Sequence, residues 1–282
     1  MRLSSASVPL ALLCSVRARP LSMGTSMLAD TAERLQRHLD AVSLEAPPRI
    51  ELTSGAAPTG HGLVVLDSSF NPPTRAHLHM LECAATLFDI KRSLLLLAKQ
   101  NADKPVVGAS LVQRIEMMET IAAAAEPSGS MLCGVTAHPL FVEKAIALRA
   151  LCGGCGGGRA VVLVGFDTWI RIVDPKYYDS GGLDDALRDI FRCVEVLVAS
   201  RDPASASNLD PLSAEDQEAR VRSLPEDVTN GRLHFLHNPP EMADFSSSAL
   251  RKAVAAGDGG VTRAMLPECL LQLVEERGLY KD

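Results

Sequence analysis

The chain has 282 residues, of which 47% are hydrophobic and 22% charged, enough apolar material for a large buried core and too much for a disordered chain. Its net charge of -6 excludes the broad basic face that a nucleic-acid backbone requires, although a small anionic ligand needs only a local cluster of cations.

Residues 1–29 lack Asp and Glu, hold Arg2, Arg17 and Arg19 and are rich in Ser, the composition of a mitochondrial presequence. The apolar run Val8 to Cys14 is too short to span a membrane. Residues 1–60 therefore read as an N-terminal extension with a targeting segment and a helix, and residues 61–282 as the functional domain. Cytoplasm or nucleus is the expected location if the extension is not a mitochondrial signal.

From residue 62 onward, strand-length apolar runs recur at Gly62–Leu66, Ser93–Ala98, Met131–Thr136, Ala160–Gly165, Val194–Ala199 and Leu233–His237. Helical spacing of apolar residues falls between them, at Ala76–Phe88, Leu111–Ala125, Val142–Leu151, Leu183–Phe191 and Ala214–Val221. Alternating strands and helices predict an α/β fold, a Rossmann-like doubly wound parallel sheet. Arg201 to Arg232 reads as a polar excursion around one short helix. From about residue 247 a small C-terminal helical unit follows, with two helices broken near Gly257–Gly260 and a restart at Pro267; it is expected to pack against the sheet edge. Cys152 and Cys155 form a Cys-x-x-Cys inside a glycine run, but no second pair follows at zinc spacing and the run precedes a strand, so a plain loop is expected.

The chemistry concentrates at two places. Val64 to His77 runs from an apolar strand through a turn containing Pro72 and Pro73 into a helix. Free N–H groups and the positive end of a helix dipole there suit phosphate, and Thr74 and His77 share one face of the first turn. Far along the chain, Phe245-Ser-Ser-Ser-Ala-Leu-Arg251 offers a hydroxyl N-cap with a guanidinium one turn later, which suits the same ligand class.

Ser69 to Leu78, with Thr74-Arg75-Ala76-His77 at its centre, resembles the Thr-x-x-His signature of the nucleotidyltransferase superfamily, most closely in its nicotinamide and nicotinate mononucleotide adenylyltransferases, divergent fungal members included. Phe245 to Arg251 is similar to that family's second motif. The resemblance spans residues 62 to 280 and implies an enzyme that joins ATP to a pyridine mononucleotide, with Mg²⁺, yielding NAD or its deamido form and pyrophosphate. It implies His77 on an α-phosphate oxygen, Thr74 holding phosphates, and Ser247, Ser248 and Arg251 on the β and γ groups. Ser68, Ser69 and Phe70 would supply the turn backbone, and Gly165 and Asp167 a Gly-x-Asp contact with the nucleotide. Lys104, Arg114 and Arg201 are further phosphate candidates, with a helix-bracing ion pair as the other reading of Arg114. The family's usual Trp after the third strand is missing from Val135 to Phe141, so Trp169, Tyr177 or Tyr178 is expected to stack on the pyridine. The alternatives are another transferase of this fold, acting on phosphopantetheine or using CTP, and a nucleotide-binding or ATPase-like quality-control protein. A homo-oligomer is compatible with all of them.

Overall fold

A computed structural model describes residues 25–58, 62–100, 108–154, 157–178, 182–202 and 212–281. The presequence-like segment through residue 24, Lys104 and Cys155 lie outside the described residues.

The centre is a seven-stranded sheet in the order β1-β4-β3-β2-β5-β6-β7. Its strands are β1 (Glu51–Ser54), β2 (Leu63–Asp67), β3 (Ser93–Ala98), β4 (Met131–Thr136), β5 (Ala160–Gly165), β6 (Glu195–Ala199) and β7 (Leu233–Leu236). All pairings are parallel except that of β1, which runs antiparallel along the outer edge of β4. Sequence spacing does not reveal β1, because its four residues Glu-Leu-Thr-Ser hold one apolar side chain and carry no periodicity.

Alternate residues of each central strand enter opposite cores, as a sheet buried on both faces requires. Val64, Leu66, Leu95, Leu97, Val161 and Leu163 face one core. Leu63, Val65, Leu94, Leu96, Val162 and Val164 face the other.

The first core is covered by α1 (Thr25–Asp40), α2 (Arg75–Phe88) and α3 (Leu111–Ala124), and the second by α4 (Phe141–Leu151), α5 (Phe166–Ile172) and α6 (Leu183–Cys193). Ser110 starts α3 with a capping box: its hydroxyl accepts from Gln113 N–H at 3.3 Å, and Gln113 Oε1 accepts from Ser110 N–H at 2.8 Å. The polar excursion contains α7 (Ala214–Val221) and α8 (Glu226–Thr229), and after β7 come α9 (Pro240–Ala243), α10 (Ser247–Ala255), α11 (Gly259–Met265) and α12 (Glu268–Glu276).

The terminal helices correct one expectation and meet another. They do not cap the sheet edge: Leu250, Met265, Leu266, Leu270 and Val274 enter the core shared with α1, α2 and α3. An ion pair from Arg277 to Glu116 on α3 fastens the end of the chain to the same layer. The break near Gly257 is present, with Gly257 at φ 70° between α10 and α11; the Asp258 carboxylate accepts from Val261 N–H at 3.0 Å and caps α11, and α12 restarts after Pro267.

Strand order reverses between β2 and β5. The chain moves outward from β2 through β3 to β4, then returns to β5 on the other side and continues to β6. In open α/β sheets, ligands bind beyond the carboxyl ends of the strands at such a switch point. No helix among the described residues is long and apolar enough to cross a membrane.

Candidate functional site

The segment from Ser68 to Pro73 leaves β2 at the switch point and is held mainly through its backbone. Phe70 sits in the left-handed region at φ 45° with its ring fully buried, and the Asn71–Pro72 peptide is cis. Four distant groups fix this conformation. Arg114, buried on α3, donates to Ser69 O at 3.4 Å and to Ala109 O at 2.8 Å. Ala109 N–H donates to Asn71 Oδ1 at 3.2 Å. From α10, Arg251 Nη1 donates to Asn71 O at 2.6 Å and Ser247 Oγ donates to Pro72 O at 2.8 Å.

Arg114 thus ties one carbonyl oxygen of the turn, Ser69 O, to the start of α3, a role that its place on a helix did not reveal. Burial lowers its pKa, and nearby Arg251 acts in the same direction while Tyr280 opposes. The two sequence motifs, 180 residues apart between Asn71 and Arg251, form one structure.

His77 occupies the third position of α2. Its Nδ1 accepts from Thr74 N–H at 2.9 Å, the reach-back half of a capping box, with Thr74 Oγ1 also 2.9 Å away. A backbone N–H can only donate, so Nδ1 is an acceptor and the neutral ring carries its hydrogen on Nε2. Nε2 lies 3.1 Å from Ser68 Oγ, at the start of the turn that leaves β2. Burial pushes the imidazole pKa down to about 3, helped by the positive charge of Arg201 and opposed by Asp167. At neutral pH His77 is therefore an uncharged, oriented N–H donor and cannot serve as a stored proton.

The other flank comes from β5 and β6. Asp167, in the first turn of α5, meets Arg201 Nε at 3.1 Å, and both remain about 28–29% exposed at the crevice. A Cβ placed on Gly165 would lie 2.6 Å from Asp167 Oδ1 and 3.0 Å from Arg201 Nε, so glycine leaves room for that pair. The backbone of α10 adds a helix N-terminus, where Ser246 caps Ala249 N–H at 3.1 Å and Arg251 Nη2 donates to Ser248 Oγ at 3.3 Å.

The structure therefore gathers Ser68, Ser69, Phe70, Thr74, His77, Gly165, Asp167, Arg201, Ser247, Ser248 and Arg251 around one crevice. It separates the aromatic candidates. Trp169 is 1% exposed within the core beneath α5, which leaves its ring no open face for a substrate and corrects its assignment as a stacking residue. Tyr178 donates to Ile172 O at 2.7 Å, and burial raises its hydroxyl pKa to about 12. Tyr177 has Lys176 Nζ 4.7 Å from its ring centre.

Two side-chain contacts escaped the sequence. Lys144 of α4 reaches Asp67, the last residue of β2, at 2.7 Å with both side chains about nine-tenths buried. Beside it, His138 meets Glu143 at 3.1 Å. An acidic residue ending an apolar strand was the available signal for the first pair, but its partner is 77 positions away.

The cytidylyltransferase-like family description matches residues 65–253 of the chain. A Schizosaccharomyces pombe protein named as a nicotinamide mononucleotide adenylyltransferase is 31% identical over 228 residues, 76% of this chain and 84% of its own length. A Gloeobacter violaceus protein named as a nicotinate-nucleotide adenylyltransferase is 30% identical over 78% of this chain and 97% of its own. The solved structure of Plasmodium falciparum nicotinic acid mononucleotide adenylyltransferase with NaAD shares the fold at a TM-score of 0.54 and 12% identity, covering 78% of this chain and 97% of that one. With its two sequence motifs meeting on one turn at the switch point of a parallel sheet, the chain belongs to the cytidylyltransferase-like family of nucleotidyltransferases.

Proposed function

We propose that this protein is an adenylyltransferase that joins ATP to nicotinamide or nicotinate mononucleotide, forming NAD or deamido-NAD and pyrophosphate. The observation that carries the reading is the junction of Arg251 and Ser247 with the carbonyl groups of Asn71 and Pro72. It places a cation, hydroxyls and two helix N-termini around the turn from which His77 projects. The sequence relatives, both named as pyridine-nucleotide adenylyltransferases, favour this over the CTP-dependent and non-enzymatic alternatives.

In this reaction a 5'-phosphate oxygen of the mononucleotide attacks the α-phosphorus of ATP. The bond from that phosphorus to the oxygen bridging to the β-phosphate breaks, and pyrophosphate leaves. The nucleophile is already an anion, so no base is needed; catalysis consists of aligning two phosphates and offsetting charge as it moves. His77 suits that task because its Nε2–H faces the turn and its low pKa keeps the ring in one protonation state. Arg251, Ser248 and the N–H groups of α10 suit the β and γ phosphates. Asp167 and Arg201 suit the nucleoside side.

Mg²⁺ would enter with ATP rather than in a cage of protein carboxylates, and would supply positive charge to offset that of the phosphates. Among the described residues no three His, Cys, Asp or Glu side chains converge, and Asp67 and Asp167 each face a cation.

The test is incubation of the purified chain with ATP, Mg²⁺ and each mononucleotide, with dinucleotide and pyrophosphate measured together. Equimolar formation of both is the expected outcome. ATP binding without either product would return the chain to the nucleotide-binding alternative.

A further inference from the structure

The last ladder pairings of β6 join Ala199 to Gly165 on one side and to Leu236 on the other, and Ser200 N–H then donates to Leu236 O at 2.9 Å. Arg201 is the next residue and stands beyond both ladders. A single side chain takes over there from the sheet. Gln217 of α7, 2% exposed, accepts Arg201 N–H on its Oε1 at 3.0 Å and donates from Nε2 to Arg201 O at 2.7 Å. Nε2 also donates to Leu212 O at 3.0 Å. The orientation of the amide follows from its partners, because a main-chain N–H can only donate and a carbonyl oxygen can only accept.

A glutamine buried this deeply costs free energy unless its amide is fully bonded. Both of its donors and its acceptor are used, and two of those three bonds grip one residue. That residue carries a cation of the site. Arg201 Nε meets Asp167 Oδ1 at 3.1 Å beside Gly165, where an added Cβ would lie only 3.0 Å from the same nitrogen. Its charge also reaches His77 and helps to keep the imidazole neutral. In a space that narrow, the guanidinium goes where its main chain is held.

We propose that Gln217 is a positioning residue for ATP binding: by gripping the main chain of Arg201 it sets the guanidinium beside Asp167 and ready for the nucleotide. The inference rests on the reading of Arg201 as a nucleotide contact, and Gln217 itself touches no substrate. The polar excursion after β6 thereby becomes a working part of the site, although Gln217 reads in the sequence as one more polar residue of a short helix. Without the clamp Arg201 keeps its charge and loses its place, so ATP binding weakens with no change in the charge of the site.

The experiment is a double-mutant cycle on ATP affinity, measured by titration calorimetry with Mg²⁺ in the unmodified protein, Gln217→Met, Arg201→Ala and the double variant. Met nearly keeps the volume of the side chain and removes all of its hydrogen bonds. Gln217→Met should weaken ATP by about three- to tenfold, the scale of one net hydrogen bond, and by less than about twofold in the Arg201→Ala background, where the clamp has nothing left to place. Val221→Ala controls for α7 itself: it thins the buried packing of the same helix, so it should lower the unfolding midpoint while ATP affinity stays within about twofold. Gln217→Asn keeps the amide but falls one methylene short of Arg201, and it takes the place of Gln217→Met in the cycle if that variant does not fold. Unchanged ATP affinity on loss of the Gln217 amide, an equal loss in both backgrounds, or the same loss in Val221→Ala overturns the role given to Gln217 and leaves adenylyl transfer standing. A cycle that behaves as expected in a protein that forms no dinucleotide from either mononucleotide keeps the clamp and removes adenylyl transfer.

Discussion

The turn from β2 into α2 and the turn from β4 into α4 stand on the same carboxyl edge of one sheet, yet they are built by different means. The first is held largely through main-chain carbonyl groups: Ser69, Asn71 and Pro72 each accept from a distant side chain, and its imidazole is neutral. The second is held through side-chain contacts, the buried pair of Lys144 with Asp67 and the half-buried contact of His138 with Glu143. A backbone-braced turn leaves its N–H groups and hydroxyls available to an anion. A turn braced by buried charge ties up its side chains and depends for stability on every pair staying intact.

The largest effect should come from breaking the second turn. Lys144→Met leaves the Asp67 carboxylate buried without its cation, and loss of one partner of such a pair costs about 3–5 kcal/mol. Urea unfolding should show that loss, and Asp67→Leu combined with Lys144→Met should recover most of it, since an apolar pair of similar volume carries no uncompensated charge. If the single variant lost under about 1 kcal/mol, the range of an exposed pair, the contact would not be the brace assigned to it.

His77 sharpens the contrast from the other side. His77→Ala should lower turnover by about 10²- to 10³-fold, the usual cost of one donor to moving charge, with little change in mononucleotide KM. Its pH dependence has a definite sign. The unfolded chain takes up a proton near the ordinary value of 6.5, while the folded chain resists until about 3. The contribution of neutral His77 to stability is therefore complete above about 6.5 and is lost as pH falls toward 3. Relative to His77→Asn, the unmodified protein should lose a few kcal/mol of unfolding free energy between pH 7 and pH 4, at about 1.4 kcal/mol per pH unit. Across pH 6–9, turnover should show no inflection belonging to His77.

Arg251 is a smaller lever on the same turn. Arg251→Lys keeps the charge but loses the fork that spans Asn71 O and Ser248 Oγ, so ATP KM should rise by about tenfold, and further in Arg251→Ala. Equal KM values in all three proteins would detach α10 from the triphosphate.

This division also explains what could be read before the fold was known. Strands β3, β4 and β5 are apolar runs whose bounds match the sequence reading residue for residue, because burial on both faces demands such runs. The segments carrying Thr74, His77 and Arg251 were legible as helix starts because N-terminal capping writes itself into a few adjacent residues, and the structure joins them at one turn. Helix α5 was missed because it begins on the residue after β5, so Gly165-Phe166-Asp167 carries no separating signal. The Lys144–Asp67 pair was illegible for a plainer reason: Lys144 reads as one more polar residue of an amphipathic helix until the sheet brings β2 beneath it. Trp169 misled because an aromatic residue near a Gly-x-Asp suggests stacking, whereas a helical position two beyond Asp167 turns the indole into the core.

The smallest expected effect concerns Tyr178, and it separates a hydroxyl from a ring. The Tyr178 hydroxyl is spent on Ile172 O at 2.7 Å, which anchors the end of the loop after α5. Tyr178→Phe should therefore cost about 0.5–1.5 kcal/mol of stability, the net value of one hydrogen bond, and leave the mononucleotide KM within about twofold. Tyr178→Ala removes the ring as well. If its face stacks on the pyridine, that variant should raise mononucleotide KM by about three- to tenfold while ATP KM stays constant, in line with about 0.5–1.5 kcal/mol for an aromatic face contact. A stability loss shared by both variants, with KM unmoved in either, would leave Tyr178 as a loop anchor.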